Sequence, residues 1–270
     1  MKNIGLRDRI RRSSQWVLRW RHPFWWLPDV PSEQDESFRR IWSQLRQVER
    51  VADGRHDTPD FLARQGDLII ICARLQASQI LPALQPLLDD LQAHDYVRLV
   101  PPESYNITVQ ELGYLSARPN GRDEITDQWL QEYLEQCQIS LKDFRPFDVR
   151  IGGANSYIDA AFLDVHDNGW FSRIHEVLVD FVSQPPRTRY PYLPELVIAQ
   201  YTKAGPIGSL VHDLTPYRDL EFAEIRVDSI DVLSIPTNKP FAQPEVIQSF
   251  PLGRITGFMD RVTSADARER

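Results

Sequence analysis

The sequence predicts an α+β protein in which two units of strands and helices follow one another, rather than a doubly wound parallel sheet. Three observations indicate this class. The chain has 270 residues, enough for one large domain or for two lobes that share a groove. From Asp67 onward, short apolar runs typical of strands alternate with segments of helical periodicity. Two predicted strands, about 90 residues apart, are marked by polar residues on one face.

The predicted elements are bounded by proline, glycine and charged residues. A first helix is predicted from one apolar stripe, formed by Phe38, Ile41, Trp42, Leu45 and Val48. Strands are predicted at residues 68–75, 96–100, 105–112, 147–151, 160–165, 196–201 and 222–235. Further helices are predicted at residues 78–94, 124–138, 170–182 and, as a short one, 215–220. Gly152-Gly153 is predicted to form a turn between two strands.

Composition divides the chain into three parts. Residues 1–60 form a basic, Trp-rich N-terminal extension with the first helix, and residues 61–236 form the folded domain. Residues 237–270 are Pro-rich and then charged, and we expect them to form a loosely packed tail. Residues 1–22 hold seven basic side chains and one acidic one, whereas the whole chain has a net charge of −7, so the remainder is near −13. A domain with this negative net charge has no general electrostatic attraction for nucleic acid, although it can still contain a local basic groove.

The bulk composition is that of a globular protein, with 42% hydrophobic and 26% charged residues. Cys72 and Cys137 lie 65 residues apart without a CxxC pattern, so neither a disulfide framework nor a zinc site is indicated. We therefore expect two buried thiols in a reducing cytoplasm, and we predict no metal and no other cofactor. We expect neither a secretory signal nor a membrane span, because no apolar run is long enough.

Two predicted strands carry side chains that could take part in binding or catalysis. Since alternate residues of a strand project from one face, Asn106, Thr108 and Gln110 share a side of the first of these strands. Ile107 and Val109 face the other side, which we expect to be the core.

The second strand repeats this arrangement. Glu195 and Val197 share one face, together with Ala199, while Leu196 and Ile198 face the core. The two strands therefore present candidate ligand-binding positions from two separate parts of the chain.

Residues 97–113, with Asn106-Ile-Thr108, resemble the first signature of the two-histidine phosphoesterases, the superfamily of the 2′-5′ RNA ligases and cyclic phosphodiesterases. That signature has His-x-Thr or His-x-Ser. The second signature, a strand with Pro-His-x-Thr, corresponds to Pro194-Glu195-Leu196-Val197, and the resemblance covers roughly residues 65–236. It implies a bilobal fold of two antiparallel sheets that face each other across a central groove, with one motif from each lobe and the helices outside.

The chain departs from the family at the groups that carry the chemistry. In the family, one histidine removes a proton, the other protonates the leaving oxygen, and the two hydroxyl residues hold the phosphate. Asn106 cannot transfer a proton, Val197 has no hydroxyl, and only Thr108 retains the family's residue type.

Glu195 stands where the second histidine would be. With an ordinary pKa of about 4.3, Glu195 can act as a base but is a poor acid at pH 7 unless burial raises the pKa. An ionised Glu195 would also repel a phosphate charge about 5 Å away by roughly 3 kcal/mol at an effective dielectric constant of 20.

These departures predict a catalytically degenerate member of the superfamily. Its groove would bind a nucleotide or an RNA end, or would serve as a scaffold, with Asn106, Thr108, Gln110, Glu195 and Val197 as the candidate ligand-binding residues. One alternative is an active phosphodiesterase-like hydrolase with altered chemistry that uses Glu195.

Another alternative is a docking protein. A basic, Trp-rich amphipathic segment is typical of an element that lies on an anionic membrane or on a protein partner, and residues 1–30 have this character. The same tryptophans could instead pack on the domain.

Liposome sedimentation tests the membrane form of the docking hypothesis. The full chain should sediment with anionic vesicles more strongly than a chain that lacks residues 1–30, because the basic and aromatic side chains supply the attraction. Equal partitioning of the two chains would rule out a membrane role for this segment.

Overall fold

The computed structural model describes residues 30–55, 58–64, 66–121, 123–179, 192–239 and 241–253, and all structural statements refer to them. The docking segment lies outside these residues except for its last position. The helices are α1 (Val30–Leu45), α2 (Pro59–Leu62), α3 (Leu81–Gln92), α4 (Asp127–Leu141), α5 (Trp170–Val179) and α6 (Ile207–Leu214). Short 3-10 turns cover Ala77–Gln79, Pro102–Ser104 and Thr215–Tyr217.

Ten strands form two five-stranded sheets. They are β1 (Leu68–Arg74), β2 (Val97–Leu99), β3 (Asn106–Leu115), β4 (Glu124–Ile125), β5 (Phe147–Ser156), β6 (Ala160–His166), β7 (Glu195–Tyr201), β8 (Glu221–Val227), β9 (Ser229–Ile235) and β10 (Glu245–Pro251). Sheet 1 has the order β10-β9-β1-β3-β4, and sheet 2 has the order β2-β7-β6-β5-β8. All neighbours are antiparallel except β3 and β4. The predicted α+β class with two sheets is confirmed.

The core lies on one face of both sheets. Ile107 and Val109 of β3 and Leu196 and Ile198 of β7 are at most 1% exposed and belong to one apolar cluster with residues of α3, α4, α5 and α6. The predicted inward faces of both strands are therefore correct. Although β3 and β7 belong to different sheets, their Cα atoms approach within 8 Å. The less buried faces of the two strands consequently lie on the same side of the core.

Helix α1 packs on one face of sheet 2. Phe38 of α1 is 1% exposed, and its ring contacts Phe162 of β6 at a centroid distance of 6.4 Å. Phe162 stands opposite Val197 in the antiparallel register, so the two side chains project from the same face of sheet 2. Helix α1 therefore covers part of the face that carries Glu195.

Gly152-Gly153 is not a turn, and that expectation is wrong. Both glycines lie inside β5, where the pairing shifts against both β6 and β8, so they form a bulge. A Cβ on Gly153, which has φ of +79°, would lie 2.5 Å from Nη1 of Arg218. The positive φ, together with the backbone oxygen of Arg218 at 2.9 Å from such a Cβ, explains why glycine is favoured there.

The predicted strand at residues 222–235 is in fact two strands. β8 pairs with β5 in sheet 2, and β9 pairs with β1 in sheet 1, with Asp228 between them. The short helix expected at residues 215–220 is a single 3-10 turn, Thr215–Tyr217, which directly follows α6.

The expectation of a loosely packed tail does not hold for residues 245–251. They form β10, which pairs with β9, and Phe250 is 4% exposed. Among the described helices none is both long and apolar enough to cross a membrane.

Truncating Phe38 tests the packing of α1. We expect Phe38→Ala to lower the free energy of unfolding by about 3–5 kcal/mol, because a buried ring is lost from the contact with sheet 2. Urea denaturation measures the change. Ile139→Ala is the control, since Ile139 is 55% exposed on α4 and its truncation should cost at most about 0.5 kcal/mol. Equal costs for the two variants would contradict the described position of α1.

Candidate functional site

The candidate site consists of the less buried faces of β3 and β7. Asn106, Gln110, Glu195 and Val197 are partly buried, and Thr108 is exposed. The structure therefore brings all five predicted residues to the same side of the core, on two strands that approach each other.

The two polar residues of the first motif bind each other. The Thr108 hydroxyl donates to Oδ1 of Asn106 at 2.9 Å, and Nδ2 of Asn106 donates to the carbonyl oxygen of Ser104 at 2.9 Å. This pair holds the Asn106 amide in one orientation. The hydroxyl oxygen of Thr108 still has lone pairs, and its exposed position leaves it accessible to a ligand.

Gln110 is the next residue after Thr108 on this face of β3. Its Nε2 donates to the backbone oxygen of Glu111 at 2.7 Å, while its buried Oε1 has no hydrogen-bond partner among the described residues. An unpaired buried oxygen is costly. Gln110 therefore carries an unsatisfied acceptor on this part of β3.

A cation adjoins the first motif, and the sequence analysis missed it. Arg74 stands opposite Asn106 in the pairing of β1 with β3, so the two side chains share a face. Its side chain is 54% exposed, and its Nε donates to the buried carboxylate of Asp231 at 2.6 Å.

Glu195 is the residue of the second motif that can change its charge. Burial raises its pKa to about 7; a hydrogen bond from the Tyr157 hydroxyl lowers the pKa, whereas the nearby charges of Asp159 and Asp164 raise it. The condition under which Glu195 can act as an acid near neutrality is therefore met.

Asp164 is a second carboxylate of the site, and the sequence analysis did not single it out. It stands opposite Glu195 in the pairing of β6 with β7 and is 2% exposed. Burial raises the pKa of Asp164 to about 7, although Arg218 and Asn155 bind its carboxylate and lower the pKa. Nδ2 of Asn155 donates to Oδ1 of Asp164 at 2.9 Å, and Nη1 of Arg218 donates to Oδ2.

Aromatic rings line the sheet 2 side of the site. The Phe162 ring, opposite Val197, stacks on Tyr157 at a centroid distance of 4.5 Å and touches Phe38 on its other side. Val197 thus meets an apolar wall and not a phosphate-binding hydroxyl. This wall limits the access of water to Glu195.

A second pair of rings lies beside β3. Tyr192 donates its hydroxyl to the backbone oxygen of Thr108 at 3.0 Å, and its ring stacks on His175 at a centroid distance of 4.3 Å. Nδ1 of His175 donates to the backbone oxygen of Val109 at 2.7 Å, and burial lowers the pKa of this histidine. The ring is therefore neutral near pH 7, and its Nε2 is an acceptor.

The arrangement offers hydrogen-bond donors and acceptors, one proton-carrying carboxyl and stacking surfaces. Within the ranges that the structure covers, no group of three or more histidine, cysteine, aspartate or glutamate residues is placed to hold a metal ion. No histidine stands on either motif strand at a position of the family pattern.

The fold is similar to that of solved structures of the kind that the resemblance of the motifs implied. No known family and no curated protein matches the sequence. Among solved structures, TT0787 of Thermus thermophilus is similar with a TM-score of 0.53 at 18% identity, over 68% of this chain and 97% of that one. Escherichia coli LigT, complexed with 3′-AMP, has a TM-score of 0.52 at 11% identity, over 70% of this chain and 99% of that one. The 2′-5′ RNA ligase-like fold is thus shown.

The charge of Glu195 should make the stability of the protein depend on pH. Because its pKa is raised in the folded state, its charge destabilises the fold above pH 7, and this cost disappears as the pH falls from 7 toward the ordinary pKa. Glu195→Gln should therefore raise the free energy of unfolding by about 1–3 kcal/mol at pH 8.5 and have little effect at pH 4.5.

Thermal unfolding at the two pH values measures this difference. The control is Glu135→Gln, which removes an exposed carboxylate from α4. A gain of stability in Glu195→Gln that is equal at both pH values would contradict the assignment.

Proposed function

We propose that this protein binds a nucleotide or an RNA end in the groove between β3 and β7, and that it does not carry out two-histidine catalysis. The observation that carries the proposal is that family residues are replaced on both motif strands, which approach each other. Asn106 and Glu195 stand at both proton-transfer positions, and Val197 replaces one hydroxyl. The loss of one acid or base typically costs about 10²- to 10⁴-fold in rate.

The ligand class follows from the polar and aromatic groups on the groove face. Asn106, Thr108 and Gln110 offer hydrogen bonds, and Arg74 adds a positive charge beside Asn106 that favours a phosphate. The stacked rings of His175 and Tyr192 lie at the Thr108 end of β3, where a base could stack on them. LigT in its complex with 3′-AMP supports a nucleotide as the first ligand to test.

A second candidate function is favoured by one observation. The pKa of Glu195 of about 7 suits a general acid or base at neutral pH. An active hydrolase with altered chemistry would use this single carboxyl, aided by the hydrogen bond from Tyr157.

The domain division and the cellular setting stay predictions. We retain residues 1–60, 61–236 and 237–270 as the proposed parts, with α1 and β10 as the points where the outer parts pack on the domain. Docking through residues 1–30 and a cytoplasmic location are likewise proposals.

Binding of 3′-AMP tests the first proposal. Isothermal titration calorimetry should detect 3′-AMP binding by the wild-type protein, and Thr108→Val should weaken it about fivefold or more, because the variant loses an exposed hydroxyl of the groove. Thr215→Val is the matched control, since Thr215 is exposed after α6, away from β3. No binding of 3′-AMP or of a 3′-phosphorylated oligoribonucleotide would refute the proposed ligand class.

Turnover separates the two candidate functions. The wild-type protein should not hydrolyse a panel of 2′,3′-cyclic nucleotides, whereas the triple variant Asn106→His, Glu195→His and Val197→Thr should gain weak activity, because it restores both proton-transfer groups and one hydroxyl. Wild-type turnover that Glu195→Gln abolishes would establish the hydrolase instead. A folded triple variant that remains inert would indicate that the groove no longer positions a phosphodiester.

A further inference from the structure

We infer that the carboxylate of Asp164, which stands opposite Glu195, helps to keep Glu195 protonated, so that the groove takes up one proton together with a phosphate-bearing ligand. This inference rests on the proposed function, because it concerns the same groove. It assigns to Asp164 a role in ligand selection that the motif comparison does not provide.

The first support is the position of the two carboxylates. Asp164 and Glu195 stand directly opposite each other on neighbouring antiparallel strands. The Cβ atoms of such a pair are about 4.5–5.5 Å apart, and like charges at these positions repel each other. Neither carboxylate is well hydrated, because Asp164 is 2% exposed and the rings of Phe162 and Tyr157 lie against the same face.

The two carboxylates have unequal partners. Asp164 accepts from the guanidinium of Arg218 and from the amide of Asn155. For Glu195 the described hydrogen-bond donor is the neutral hydroxyl of Tyr157. These partners favour the charge on Asp164 and the proton on Glu195, while burial raises the pKa of both carboxyl groups.

The other charged groups around the pair support this assignment. Asp159, on the turn before β6, adds negative charge near Glu195, and the Tyr192 hydroxyl is within electrostatic range. On the far side of Asp164, His166 binds Asp35 of α1 at 2.8 Å, and Arg150 lies near His166. Arg218 is the cation bound to Asp164, and none of the described groups that act on Glu195 is cationic.

The charge state of Glu195 decides which ligands the groove accepts. A protonated carboxyl donates a hydrogen bond to a phosphate oxygen, whereas an ionised one repels it. Burial raises the pKa of Glu195 to about 7, and the charges of Asp159 and then Asp164 add to this effect. A phosphate ligand that needs the donor will therefore draw a proton from solvent onto the Glu195 carboxylate as it binds. No covalent bond forms or breaks in this step.

Calorimetry of 3′-AMP binding in buffers of different ionisation enthalpy counts the protons taken up. At pH 8 we expect about one proton per bound 3′-AMP in the wild-type protein, and an affinity that falls about tenfold per pH unit above pH 7. Glu195→Gln should bind 3′-AMP with no proton uptake and with an affinity that does not fall between pH 7 and pH 8.5. Wild-type binding without proton uptake would overturn the inference.

The role of Asp164 is tested without a ligand. Carbon NMR of the Glu195 carboxyl should show that its pKa falls by about one unit or more in Asp164→Asn, because the opposing charge is gone. Asp148→Asn is the matched control: Asp148 also binds an arginine, Arg226, but lies exposed on β5. An unchanged Glu195 titration in Asp164→Asn would overturn the inference.

A wild-type measurement covers the case in which Asp164→Asn does not fold. The carboxyl carbon signals of Asp164 and Glu195 should each show an inflection at the midpoint of the other group, since interacting sites titrate together. Independent single inflections would overturn the assigned coupling. If the coupling is observed but 3′-AMP does not bind, the proposed function and the proton uptake fail, whereas the control of Glu195 by Asp164 stands.

Discussion

The packing of β3 against β7 is the constraint on which the rest of the structure depends. These strands belong to different sheets, yet Cα atoms of one approach Cα atoms of the other within 8 Å. Their inward side chains share one apolar core: Ile107, Val109, Leu196 and Ile198. Because side chains alternate along a strand, burying these residues directs the intervening ones to the opposite side. The core thus positions the site, and it does so whether or not the site residues are histidines.

Helix α1 and its neighbouring rings change what the site can do. By covering the face of β6 next to β7, Phe38 and Phe162 remove water from two carboxylates that would be ordinary acids at the surface. Burial raises the pKa of both carboxyl groups. Arg218 and Asn155 bind the charged form of Asp164, whereas Glu195 has the neutral hydroxyl of Tyr157 as its donor. A glutamate in the place of a histidine can therefore still carry a proton at neutral pH.

The sequence predicted the strands that bury one face, because a period of two is visible in residues 105–112 and 196–201. It did not predict the Asp164–Glu195 pair, since this pair depends on the register between strands about 30 residues apart. The sequence predicted a turn at Gly152-Gly153 because turns and bulges both use glycine, and the pairing of β5 with β6 and β8 that distinguishes them is a tertiary feature. The packing of α1 on sheet 2 is likewise a tertiary contact. An apolar stripe predicts that one helix face is buried, but not the surface on which that face packs.

The single residue between β8 and β9 has a mechanical consequence. Since β8 pairs with β5 and β9 pairs with β1, the chain passes from one sheet to the other at Asp228, whose backbone oxygen also accepts from the amide of Leu252 at 2.8 Å. A link of one residue is too short to let the two sheets separate at this edge. The backbone itself therefore ties the two sheets together at this edge, without a loop between them.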